Sequence, residues 1–121
     1  MRSEQVNIMV FEVAGSSICV SSDDGQIVHD RIAAALREGK KVKLSFMNVE
    51  SLTSAFLNAA IGQLYGEFSE EVIRGGLSVT EMAQDDMGLL KQVVVTAKEF
   101  FRDPSRFKKA HAEALEEKDA D

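Results

Sequence analysis

The sequence predicts an α/β domain: a mixed sheet of about four strands, helices packed mainly on one face of it, and an extra C-terminal helix. Three observations carry this. Residues 41–46 alternate strictly, with Val42, Leu44 and Phe46 apolar and Lys41, Lys43 and Ser45 polar, as in a strand covered on one face. Residues 54–68 place Leu57, Ile61, Leu64 and Phe68 on one stripe, the mark of an amphipathic helix. Short strand-like and longer helix-like segments then take turns along the chain, which is the order of an α/β protein.

Residues 6–13 read as the first strand, with Val6, Ile8 and Val10 facing one side and Met9, Phe11 and Val13 the other. Apolar character on both faces points to an inner strand. Ala14, Gly15 and Ser16 supply a turn, residues 17–20 a short second strand, and a hairpin is the simplest connection. Asp23, Asp24 and Gly25 mark a break with helix-capping potential. Ile27, Val28, Ile32, Ala35 and Leu36 follow at helical spacing until Gly39 stops the helix. Residues 41–46 are the third strand and 47–53 the loop after it. The helix over 54–68 has its stripe widened by Phe56, Ala60 and Tyr65. Ser69, Glu70 and Glu71 cap a short further turn through Ile73, broken by Gly75 and Gly76. Leu77 and Val79 mark a fourth strand.

Asp85 and Asp86 open a long helix, where acidic residues suit the positive end of the dipole. Met87, Leu90, Val93, Val94, Ala97, Phe100 and Phe101 are its expected buried side. At Asp103 and Pro104 a boundary falls, since Asp103 can cap and Pro104 fits a first helical position. The last helix carries Phe107, Ala110, Ala114 and Leu115 on one side. The expected organisation is a single domain over 1–121, with a core at 5–102 and a helical appendage at 103–121.

The 121 residues suit one domain. Hydrophobic residues at 45% and charged residues at 28% are enough for a packed core without metals or disulfides. The single cysteine, Cys19, allows no internal disulfide, which fits a reducing compartment. No stretch reads as a signal peptide or reaches the roughly 18 apolar residues of a membrane span, so the cytoplasm is the expected location and no membrane is expected as a partner. A net charge of −6 argues against nucleic acid. Five basic residues between Arg31 and Lys43 and six acidic ones between Glu67 and Asp86 form runs of opposite sign. They read as solvated faces, or as a means of orienting a partner.

Residues 42–66, VKLSFMNVESLTSAFLNAAIGQLYG, resemble the strand, loop and helix at the heart of STAS domains, the class of the anti-sigma factor antagonists. They resemble more closely still the STAS-like family of unknown function, through Val49, Thr53-Ser54-Ala55-Phe56 and Asn58. The element order extends the likeness over most of 5–102. The resemblance implies a STAS-like fold and a bacterial-type regulatory role, in which a partner docks on the loop and helix start after the third strand. It implies Asn48, Glu50, Ser51, Thr53, Ser54 and Asn58 as partner-binding residues. It puts Ser54 where the family's regulatory serine is phosphorylated, and a histidine-kinase-like ATP-binding protein as the partner. Thr53 stands where that family has Asp, and Phe56 where it has Gly, which departs from the phosphoswitch pattern.

Each candidate has a plainer reading. Thr53 or Ser54 can simply cap the helix. Gly62 and Gly66, one turn apart, can serve close packing against the sheet or a neighbouring helix. Cys19 reads as a small buried hydrophobe, and His29-Asp30 as a solvated pair at a helix surface. The two histidines lie in no metal-ligand spacing, no phosphate-cradling glycine motif is present, and the acidic pairs sit at helix starts. No catalytic residue, metal or cofactor is therefore expected. The chain reads as a regulatory protein-binding module and not an enzyme. The alternatives are a self-assembling structural component, such as a homodimer, and a small-ligand-binding domain.

Overall fold

The computed structural model describes residues 4–102. The helix expected over 103–121, with Phe107, Ala110, Ala114 and Leu115, lies outside the described residues. Along the chain run β1 (Gln5–Met9), α1 (Val10–Ala14), β2 (Ile18–Cys19), α2 (Ser22–Arg37), β3 (Lys41–Ser45) and β4 (Ser51–Leu52). Then come α3 (Ser54–Ala60), a 3-10 helix (Gly62–Gly66), α4 (Glu70–Gly76), β5 (Leu77–Thr80) and α5 (Gln84–Arg102).

The class is α/β, but among the described residues the strands form two small sheets, of three and two strands, and not one mixed sheet of four. The order β1-β3-β5 forms one sheet, and β2 pairs with β4 in a second, two-stranded one. Among the described residues every pairing is parallel. In register, Val6, Val42 and Leu77 lie side by side, as do Ile8, Leu44 and Val79. That row is the covered face, with Ile8, Val42 and Leu44 buried. Gln5, Asn7, Lys41, Lys43 and Ser78 are exposed on the other. The strands advance in one direction across the sheet, so two crossovers of the usual hand fall on the same face. The helices pack there, around Val28, Ile32, Phe56, Leu57 and Leu64.

The first strand stops early. From Val10 the chain turns helical, and α1 ends on Gly15 in the left-handed region at φ 73°, its N–H bonded to the Phe11 carbonyl. A short apolar run fits period 2 and period 3.6 alike, and here Val10, fully buried, belongs to the helix. The inserted helix removes the expected hairpin: β2 leaves β1 and pairs with β4, inside the stretch expected to be a loop. It also leaves β1 as an edge strand, with β3 at the centre.

Helix α2 begins before the expected break. Ser21 caps it by accepting from the Asp24 N–H at 3.1 Å, and Gly25 lies within it. A Cβ on Gly25 would stand 2.5 Å from the Phe56 carbonyl oxygen and 2.9 Å from Ala59 Cβ. The glycine thus lets α2 and α3 approach closely.

The helix expected over 54–68 breaks after Ala60 and continues as 3-10. Gly62 and Gly66 disfavour the α form, and α5 lies against them. A Cβ on Gly62 would meet Asn58 Oδ1 at 2.7 Å and Val93 at 3.6 Å, and one on Gly66 would run into the Phe101 ring. Helix α4 is capped by Ser69, as the sequence suggests, but carries on through both glycines expected to stop it. On α5 only Val93 and Ala97 are buried; Leu90 and Val94 are half-buried, and Met87, Phe100 and Phe101 are exposed. Helix α5 packs chiefly against the 3-10 helix and α3, and Val93 and Ala97 face that contact.

Candidate functional site

Residues 48–58 form the segment that follows β3. Asn48 takes a left-handed conformation at φ 67° and reverses the chain. The segment is then tied to β2. The Glu50 and Ser51 N–H groups both donate to the Ser17 carbonyl, at 2.8 and 3.2 Å, and Leu52 pairs with Cys19.

Thr53 decides how α3 begins. Its hydroxyl accepts from the Phe56 N–H at 3.2 Å and donates to the Val20 carbonyl at 2.7 Å. One side chain therefore caps α3 and fastens it to the end of β2. That leaves Ser54 at the first helical position, exposed and outside the capping role. Phe56 and Leu57 turn inward and are fully buried, while Ser54, Ala55 and Asn58 face out. Ser54 and Asn58, four residues apart, share one side of the helix. Glu50, just before β4, and Ser51, its first residue, are exposed.

Large apolar side chains border this segment in the open. Ile18, on the strand tied to it, is 53% exposed, Val20, just after that strand, 42%, and Met47, just before the segment, 45%. The sequence reading missed them by treating β2 as half of a hairpin. Asn58 also reaches a second feature, a groove of about 520 Å³ between α3 and α5. Ala55, Ala59 and Gly62 form one wall and Ala97, Phe100 and Phe101 the other. The groove was not legible in the sequence, because the packing of α5 against the 3-10 helix creates it.

Cys19 is fully buried. Burial, and then the charge of Asp24, push its thiol above the ordinary range, away from the reactive thiolate.

His29 is not the solvated pair the sequence suggests. It is 5% exposed, with Nε2 2.8 and 2.9 Å from the two oxygens of Glu67 and Nδ1 3.0 Å from Asp30 Oδ1. The carboxylates lie on opposite sides of the ring, so the three groups do not converge on one point. Among the described residues, no group of His, Cys, Asp and Glu is arranged to hold a metal ion. Gln26 donates to Asp30 at 2.9 Å, Gln63 donates to Gln26 at 2.8 Å, and Arg37 reaches Glu67 at 3.4 Å. The cluster pins α2 to the 3-10 helix, through Gln63, and to the residue that follows it, Glu67. At Arg37–Glu67 it also joins the basic run to the acidic one.

The side-chain bonds from His29 and then Gln26 hold the Asp30 carboxyl below its usual 3.8. A carboxyl lowered by folding adds stability above its unfolded pKa, and that stability is lost as pH falls through the folded value. Urea midpoints of the wild type and Asp30→Asn should therefore differ at neutral pH and converge in acid below about pH 4. A gap that stays constant with pH would contradict this reading of Asp30.

A family model described as a STAS-like domain of unknown function (DUF4325) matches residues 24–87. That stretch, more than half of the chain, runs from the first turn of α2 to the start of α5 and contains the whole of residues 48–58. No curated protein and no solved structure matches the chain.

Proposed function

The chain belongs to the family of STAS-like domains of unknown function, and from that premise we propose that it is a regulatory protein-binding module. It docks a partner protein through the loop and helix start at residues 48–58. One observation carries the reading. A rigidly tied polar segment, with Glu50, Ser51, Ser54 and Asn58 exposed, is bordered by exposed Ile18, Val20 and Met47. Apolar contacts beside hydrogen-bonding groups are what a protein interface uses. Lone exposed apolar residues are ordinary, but Ile18 sits on a strand whose partner strand belongs to the segment itself, and Val20 follows that strand directly and accepts from the Thr53 hydroxyl through its carbonyl.

Ser54 is the residue through which docking is regulated. Thr53 takes the capping role, so Ser54 is exposed at the first helical position and free of that duty. A phosphate on it adds roughly two negative charges to the docking surface. A histidine-kinase-like protein with bound ATP would serve as both partner and phosphoryl donor. The Asp and Gly of the STAS phosphoswitch are Thr53 and Phe56 here. Neither change removes the hydroxyl at Ser54, and Phe56 points into the core and not toward a partner.

The test is substitution at the exposed positions. Ser54→Asp and Asn58→Ala should each weaken partner binding about tenfold, a loss of roughly 1.4 kcal/mol, without changing the unfolding midpoint by more than about 0.5 kcal/mol. Unchanged affinity in both variants would remove the docking surface from residues 48–58.

A further inference from the structure

We propose that the outer edge of β1 is a self-association surface, on which β1 of a second copy pairs antiparallel about a two-fold axis at Asn7. The inference does not rest on the docking role proposed above.

The edge is open. The Lys41 N–H donates to the Glu4 carbonyl at 2.8 Å, and Gln5 stands beside Lys41, Asn7 beside Lys43 and Met9 beside Ser45. In a parallel ladder of that phase Val6 and Ile8 bond to β3, and the backbone groups of Gln5 and Asn7 point away from the sheet. Such a row of unpaired groups is a template for another strand. Natural edges are shielded by charges, proline or a bulge. The five residues of β1, QVNIM, carry no charge and no proline, and their register with β3 is unbroken. The opposite edge, β5, borders a cavity rimmed by Glu70, Arg74 and Lys98, which is protection of that kind.

The strand that matches this edge is a copy of itself. Antiparallel pairing about Asn7 sets Asn7 against its counterpart, Gln5 against Met9 and Val6 against Ile8. Every residue of β1 is then paired, no like charges face each other, and Val6 and Ile8 meet on the face that the helices cover. Beside the strand a groove of about 530 Å³ runs between β1, α1 and α2. Glu12 and Arg31 line it, and among the described residues neither is in an ion pair. A two-fold axis brings a second Glu12 and a second Arg31 to the contact, so each copy offers the sign that the other leaves unpaired. A strand of unrelated sequence gains the backbone bonds without this matching. The seam is short at five residues, so the dimer is a weak one, with a dissociation constant of roughly 10–100 μM.

The experiment follows the mass of the full chain by light scattering from about 5 μM to about 1 mM, with Asn7→Glu and Asn7→Pro alongside. Asn7→Glu places a carboxylate beside Lys43 within the monomer, and two carboxylates against each other across the axis. Asn7→Pro removes an N–H that the sheet does not use, a change edge strands tolerate. The wild type should rise to the dimer mass with concentration. Both variants should keep the urea midpoint of the dilute wild type and raise the dissociation constant at least about tenfold. Where proline unfolds the chain, Asn7→Glu alone decides. A wild type that stays monomeric over the whole range would overturn the proposal. So would a dimer that forms equally well in Asn7→Glu, because its contact then lies elsewhere. No other protein enters the measurement, so its outcome and that of the docking test are independent.

Discussion

Phe56→Gly, which restores the residue of the STAS phosphoswitch motif, is expected to bring the domain close to unfolding. The Phe56 ring is fully buried beneath the first turn of α3. Removing a buried phenylalanine down to alanine costs about 3–5 kcal/mol through lost transfer energy and the cavity left behind. Glycine within a helix adds about 1 kcal/mol. Domains of this size have only about 5–15 kcal/mol in total, so most of the stability would go. Urea unfolding of Phe56→Ala and Phe56→Gly measures it. A loss below about 1 kcal/mol in Phe56→Ala would mean that the ring is not part of the core. The expected loss also explains the departure from the motif: a side chain that fills the core is not one that hinders a docking partner.

Gly25→Ala should be destabilising by up to about 2 kcal/mol, the reverse of what helix propensity alone gives. Alanine in a helix interior ordinarily gains about 1 kcal/mol over glycine. Here the added methyl would meet the Phe56 carbonyl oxygen at 2.5 Å, and a backbone atom cannot swing aside. Overpacking of this kind costs about 1–3 kcal/mol, and the gap between α2 and α3 must widen. Gly88 is the internal control. It lies in α5 with nothing within 4 Å of an added Cβ, so Gly88→Ala should stabilise by up to about 1 kcal/mol. Thermal or urea midpoints of the two variants should move in opposite directions. A shift of the same sign in both would show that α2 and α3 are not in the close contact described.

The elements with strong single-period patterns were legible in the sequence. Strict alternation placed β3, and the Leu57–Ile61–Leu64 stripe placed α3, though not its change to 3-10 geometry after Ala60. Capping by Ser69 was legible because serine before two glutamates carries its own mechanism. The N-terminal region was not. Residues 6–13 are apolar at nearly every position, so no period distinguishes strand from helix there. Once α1 is missed, the pairing of β2 is missed too, since that pairing joins strands far apart in sequence.

In the candidate site, the resemblance singled out the segment at 48–58, and the division of labour between Thr53 and Ser54 was not legible. Either hydroxyl could have capped the helix; the tie to the Val20 carbonyl selects Thr53. His29 left a signal that composition obscured. It sits four residues after Gly25, three before Ile32 and seven before Leu36, which puts it inside the buried stripe of α2. A histidine on such a stripe has to find partners from another element, and Glu67, distant in sequence, supplies one. The groove beside α3 depends on how α5 crosses the 3-10 helix, and crossing geometry is not written in either helix alone.

The most direct test of the docking role is affinity purification from the native host with the full chain as bait, followed by intact-mass measurement of what is retained. The wild type should hold a specific protein in defined ratio, the Ser54→Asp, Asn58→Ala double variant should lose it, and bait mass should report any phosphate on Ser54. Retention of the same protein in equal amount by the double variant, or of no specific protein by the wild type, would contradict the account.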